Sequence, residues 1–174
     1  MPSIKAFHAG DTKEIEQFVI NQQYITPSYS SKNWLGQGLY FWENNANRAE
    51  KWQLEQGKGA ILECEIDKQN LLDLLEDNDD SESFFKQAKT LSKKFYSNNL
   101  LNDKASQNFP LDCKIFDEYK KSLTNQFSGV RMAFFLGESA SKDGNIFTGQ
   151  PIQICLWDTS AIKNPSKYIP CRLW

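Results

Sequence analysis

The sequence predicts an α+β domain, because strand-like segments stand near both ends and in the middle of the chain while helical patterns gather in the first half. Two further observations frame that expectation. Apolar residues make up 40% of the chain and aromatic residues 13%, enough for a real core and too much for global disorder. The 174 residues contain no internal repeat and no linker-like stretch, so residues 1–174 read as one domain.

Taken in order, residues 4–8 (IKAFH) read as a short strand running into Ala9-Gly10-Asp11. Asp11 or Thr12 would cap a helix in which Ile15, Phe18 and Val19 recur at helical spacing. Residues 24–33, rich in Ser, Pro and Asn, read as an exposed loop. Residues 35–42 (LGQGLYFW) form a glycine-bracketed lead into an aromatic strand. Residues 46–56 (ANRAEKWQLEQ) are good helix formers, and Gly57 and Gly59 end the run. Residues 60–66 (AILECEI) alternate as a half-buried strand does. The acidic turn 76–80 suits the N-terminus of an amphipathic helix over 81–96. Residues 97–110 are polar and asparagine-rich and read as a mobile loop. The last strands expected are 130–136 and 152–157, joined by a Gly/Ser/Asp-rich connection over 137–150.

Composition removes several function classes. A net charge of −2 and a pI near 5.5 offer no bulk attraction for a polyanion, although nucleic acid bound locally as a substrate stays open. Local lysine patches (Lys89, Lys93 and Lys94, or Lys120 and Lys121) leave room for it. Cys64, Cys113, Cys155 and Cys171 are scattered, His8 is the only histidine, and nothing has metal-ligand spacing. No metal site is expected. Isolated cysteines in apolar runs fit a reducing compartment, and no apolar run has the length of a membrane span or the form of a signal-peptide core. A cytoplasmic protein follows, with export by a specialised secretion system left open. A redox enzyme using NAD is disfavoured because no GxGxxG follows a strand and opens a helix.

Three segments carry chemistry. His8 ends a strand before small residues, where its ring and the next peptide group can face a ligand. Gly36-Gln37-Gly38-Leu39-Tyr40-Phe41-Trp42 puts Tyr40 and Trp42 on one strand face after a sharp turn. Gln153 is a polar residue in the apolar strand Pro151-Ile-Gln-Ile-Cys-Leu-Trp157. A buried glutamine must satisfy both its carbonyl and its amide, a cost more easily met where a ligand supplies partners. Taken alone, His8 and the segment 36–42 are better explained by routine packing, and Gln153 has the alternative of facing solvent on an edge strand.

In this order the three segments resemble the ADP-ribosyltransferase superfamily, in its His-Tyr-Glu branch that includes diphtheria toxin and the poly(ADP-ribose) polymerases. His8-Ala9-Gly10 corresponds to the branch's His-Gly-Ser/Thr, and Gly36-Gln-Gly-Leu-Tyr-Phe41 to its Gly-x-Gly-(Ile/Leu)-Tyr-Phe. Arg48-Ala49-Glu50-Lys51-Trp52 takes the place of a helix with an aromatic residue near its end, and Gln153 stands where the branch has glutamate. The chain also looks like a group of small bacterial members, through segments 34–43, 70–74, 111–113, 130–131 and 152–154.

The resemblance implies a split β-sandwich with flanking helices and NAD as substrate. It implies transfer of ADP-ribose to a macromolecular acceptor (protein or nucleic acid, including RNA) with release of nicotinamide. The role would be that of a bacterial toxin, phage-defence factor or effector, with an antitoxin protein as a candidate partner and no membrane. His8 would bind the adenine-side ribose, and the Ala9 backbone the nicotinamide carboxamide, beside Gly10. Tyr40 would stack on the nicotinamide ring and Trp52 close its other face, with Gly38, Leu39, Phe41 and Ala49 completing the nucleotide site. Gln153 would grip the ribose through a dipole instead of a charge. Three explanations of the missing glutamate compete: the acceptor needs no carboxylate base, a second carboxylate (Glu138 or Glu43) serves it, or the site binds NAD without transfer. Arg131 reads either as a phosphate anchor or as structural. The alternatives are an NAD glycohydrolase and a non-catalytic NAD- or ADP-ribose-binding module.

Overall fold

Strand β1 (Ser3–Gly10) leads the chain of this computed structural model, which describes residues 3–30, 33–57, 59–97, 111–123, 126–133 and 150–169. Along β1 alternate residues go to opposite faces of the sheet, so Ile4 and Ala6 enter one core while Phe7 and Ala9 enter another. Helix α1 (Thr12–Asn21) starts at Asp11, whose carboxylate accepts from the amides of Lys13 at 2.8 Å and Glu14 at 3.1 Å. Its buried stripe, Ile15 and Phe18, covers the Ile4 face.

β2 (Leu39–Glu43) follows the loop, with Leu39 and Phe41 turned to the α1 side and Tyr40 and Trp42 to the other. α2 (Ala46–Gln56) is capped by the Asn45 side chain and stopped by Gly57 in a left-handed conformation, φ +63°. Its one fully buried residue, Ala49, seats the helix on Phe7, Trp42 and Ile61. β3 (Ala60–Asp67) pairs with β1 along its whole length. β4 (Leu71–Asp73) is short, and α3 (Asp79–Ser97) begins at an acidic turn as its charge pattern predicts.

Helix α4 (Leu111–Ser122) was not expected from the sequence, and it buries Cys113, Ile115, Phe116 and Tyr119. With α3 it encloses a second core, in which Phe84 stacks on Phe116 at 4.8 Å between ring centroids. β5 (Gly129–Ala133), β6 (Ile152–Leu156) and β7 (Ile162–Lys167) complete the described chain. Residues 134–136 of the strand expected over 130–136, the connection over 137–149 and most of the loop over 97–110 lie outside the described residues.

The strands form one seven-stranded sheet in the order β4-β5-β6-β2-β1-β3-β7, antiparallel except for the parallel β4–β5 pair. α1 covers one face, and α2 together with α3 and α4 covers opposite ends of the other. Helices and strands mix as an α+β architecture requires. Among the described residues no helix is long and apolar enough to cross a membrane.

Candidate active site

The centre of the sheet opens between β1 and β2. These strands pair at Ala6–Glu43 and Phe7–Trp42, and beyond that point the ladder stops while β1 continues beside β3. His8 is the first residue past the break. Its Nδ1 lies 2.8 Å from the Tyr40 carbonyl oxygen, filling the position an interstrand bond would hold. A carbonyl can only accept, so Nδ1 carries the proton, and in the neutral ring Nε2 is an acceptor. Glycine at position 10 leaves room beside that edge of the ring, since a Cβ on it would lie 2.9 Å from Nε2.

Around the opening lies a cleft of about 920 Å3, in the upper part of the range of roughly 300–1,000 Å3 usual for ligand sites. Its floor holds His8, Ala9, Gly10, Tyr40, Trp42 and Gln153. One wall is α2, whose Arg48, Lys51, Trp52 and Glu55 stand on one helical face by their spacing. The other wall is made by residues 26–30 together with Asn33 and Trp34, and carries the rings of Tyr29 and Trp34. Rings and two cations thus face one another across the space.

Gln153 is held by the middle of the sheet. β6 runs between β5 and β2, pairing Gln153 with Met132 on one side and Trp42 on the other, and the residue is only 8% exposed. The edge-strand explanation of this polar residue is thereby removed. Its Oε1 accepts from Trp34 Nε1 at 2.6 Å.

Tyr40 has a double attachment. Its ring lines the cleft, while its hydroxyl accepts from the Leu35 amide at 2.8 Å and donates to the Gly36 carbonyl at 2.8 Å. Burial pushes its phenol far above the ordinary tyrosine range, so it stays a neutral hydrogen-bonding group. The two glycines of the motif serve this turn and not the cleft surface. Gly36 has φ +85° and lies against α4, where Asp117 accepts the Gln37 amide at 2.8 Å. Gly38 is buried against the Leu156 carbonyl of β6.

Leu39, Phe41 and Ala49 are core residues behind the floor and do not line the cleft. Glu138 lies outside the described residues. Glu43 is not available as a second carboxylate: by strand alternation it points to the sheet face opposite Gln153, where Arg131 takes both its oxygens at 2.6 and 2.8 Å. Arg131 also donates to Asp73 at 2.9 and 3.0 Å, and these bonds raise its already high pKa. It is a structural residue, not a phosphate anchor.

The carboxylates lining the cleft are Asp11, Glu14 and Glu55, all at its helical rim. Asp11 caps α1, and Glu14 accepts from the Thr26 hydroxyl at 2.5 Å. Trp34 and Arg48 stand in the sequence only as members of longer matched segments; the bond of Trp34 to Gln153 and the place of Arg48 on the cleft wall exist only in the folded chain. Among the described residues no group of three or more His, Cys, Asp or Glu side chains is placed to hold a metal ion. No family model, curated protein or solved structure matches this chain.

Proposed function

We propose that the protein is an NAD-dependent ADP-ribosyltransferase with the split β-sandwich of that superfamily, transferring ADP-ribose to a macromolecular acceptor, protein or nucleic acid, and releasing nicotinamide. One observation carries the reading: His8, Tyr40 and Gln153, separated by up to 145 residues in sequence, line one cleft where β1 and β2 part. The separation of two central strands is what a split sandwich needs. A toxin, phage-defence factor or effector is the role we propose, with an antitoxin as a candidate partner and the cytoplasm as the site of action.

The cleft suits the substrate's chemistry. Flat rings (Tyr40, Trp42 and Trp52) offer stacking surfaces for nicotinamide, and Arg48 and Lys51 on α2 offer positive charge to a pyrophosphate. His8 Nε2 would accept a ribose hydroxyl, and Ala9 and Gly10 line the cleft beside it, where the carboxamide would lie. Breaking the bond between ribose C1 and the nicotinamide nitrogen sends its electron pair to nicotinamide and leaves positive charge on the ribose. The acceptor's nucleophilic atom then bonds to that carbon and gives up its proton. Glu138 is the proposed proton acceptor. Gln153 orients the ribose but supplies a dipole where a carboxylate would supply a full charge, which makes for a slow enzyme or one dependent on its acceptor.

The test is to incubate the protein with adenine-labelled NAD in cell lysate, before and after nuclease or protease digestion. Transfer gives label that one of the two digestions removes, together with acceptor-dependent nicotinamide release, and Gln153→Ala abolishes both. Nicotinamide release independent of any acceptor would mark an NAD glycohydrolase. The absence of a carboxylate on β6 favours a second reading, a non-catalytic NAD-binding module. NAD binding without release in any lysate would establish it.

A further inference from the structure

The side chain of Gln153 is asymmetric, one end accepting and the other donating, and its orientation decides what it can recognise. Trp34 settles that orientation. An indole N–H can only donate, so the atom 2.6 Å from Trp34 Nε1 must be the glutamine oxygen. The amide Nε2 is then the end left for the cleft, and no other side-chain hydrogen bond to Gln153 is made among the described residues.

Trp34 is itself fixed by its neighbours. Asn33, 5% exposed, donates to the Ser28 carbonyl at 2.6 Å and to Gln37 Oε1 at 2.8 Å, and the Leu35 amide donates to Tyr40. The indole therefore stands between two anchored residues, and its hydrogen bond is organised before any ligand arrives.

We propose that Trp34 is a positioning residue that pins Gln153 as a hydrogen-bond donor, so that the cleft recognises an acceptor oxygen of its ligand. This rests on the ADP-ribosyltransferase reading for the identity of that oxygen, the 2′-hydroxyl of the nicotinamide-side ribose. In this site the hydroxyl accepts from the protein and keeps its own proton for another partner, whereas a glutamate at the same position would take that proton. Trp34 thus sets the polarity of sugar recognition through Gln153.

Two probes follow, NAD and the NAD analogue with fluorine in place of that 2′-hydroxyl, each measured by calorimetric binding. Fluorine accepts weakly and cannot donate. Wild-type protein should bind the analogue within about tenfold of NAD, the scale of one weakened neutral hydrogen bond, and Gln153→Glu should widen the ratio to roughly 100-fold, as expected when a charged acceptor loses its donor. Trp34→Phe should weaken NAD binding about fivefold in the Gln153 protein and by less than about twofold in Gln153→Glu, because a carboxylate has no orientation to pin. An equal loss in both backgrounds would reduce Trp34 to a structural residue. A wild-type ratio as wide as that of Gln153→Glu would mean the amide is turned the other way.

The pair can also be read without NAD and without changing Trp34. In Gln153→Ala the indole N–H proton resonance of Trp34 should move and exchange faster with solvent, and an unmoved resonance overturns the pinning. If the resonance moves but neither probe binds any variant, the ADP-ribosyltransferase reading fails while the Trp34–Gln153 pair stands.

Discussion

Replacing Arg131 with leucine tests whether the ion network behind β6 is part of the scaffold. The Arg131 side chain is 12% exposed, and those of its partners Glu43 and Asp73 are 10% and 6% exposed. Removing the guanidinium leaves Asp73 with Lys68 at 3.2 Å, whereas Glu43 loses the partner of both its oxygens. Breaking such a pair from one side costs about 3–5 kcal/mol, and the surviving Lys68 contact puts this variant near 3. For a chain of this size that is a fall in melting temperature of roughly 6–12 °C. Urea denaturation of wild type, Arg131→Leu, Glu43→Leu and the double variant closes the cycle. The double variant should return to within about 1 kcal/mol of wild type, because no charge is then stranded. A single variant losing less than about 1 kcal/mol, or a double variant no better than the single, would refute the argument. So would an Arg131→Leu protein of normal stability that had lost NAD affinity, since Arg131 would then belong to the ligand site.

Three other outcomes follow. Tyr40→Phe keeps the ring in the cleft but strands the buried Leu35 amide, which should cost about 1–3 kcal/mol in chemical denaturation. Asp67, whose carboxyl is held below the usual range by a hydrogen bond from Lys163 at 2.7 Å and another from the Gln69 amide, should lend acid-sensitive stability. Because its folded pKa is depressed, that contribution is present above the unfolded value of about 3.9 and is lost as pH falls through the folded one. The stability gap between wild type and Asp67→Asn should accordingly be widest near neutrality and close in acid. Burial pushes the thiols of Cys64 and Cys113 up to about 12 and that of Cys155 higher still, so a charged disulfide reagent at about pH 8 should modify none of the three before the protein unfolds.

What the sequence disclosed, and what it concealed, follows the range of the interactions involved. α2 was readable because local features define it: strong helix formers, an asparagine at the start and Gly57 at the end. β3 showed its alternation, and Asp11 announced α1. α4 is hidden in the sequence although Cys113, Phe116 and Tyr119, or Ile115 and Tyr119, carry helical spacing, because charged residues interrupt the stripe. β4 is three residues long and exists by pairing in parallel with β5. β7 (IKNPSK) is polar and contains a proline, which only a strand at the rim of a sheet tolerates.

The site divides in the same way. His8, Tyr40 and Gln153 were visible as unusual residues in strand patterns, and the structure brings them to one cleft. The engagement of Glu43 by Arg131 and the grip of Trp34 on Gln153 join residues 88 and 119 positions apart, while the two hydrogen bonds of the Tyr40 hydroxyl reach back only 5 and 4. The two long-range bonds among these depend on strand order and register, which periodicity does not contain.

The outer rim of the sheet at β7 has a bearing on how this protein meets others. Asn164 sits there with φ +49°, Pro165 has no N–H to offer, the register to β3 slips between Glu63 and Glu65, and Lys163 and Lys167 flank the irregularity. An incoming extended peptide would find a ladder with missing rungs, fringed by lysines already paired with Asp67 and Glu16. Growth of the sheet by an eighth strand, from a second copy or from a bound peptide, is therefore discouraged at this end.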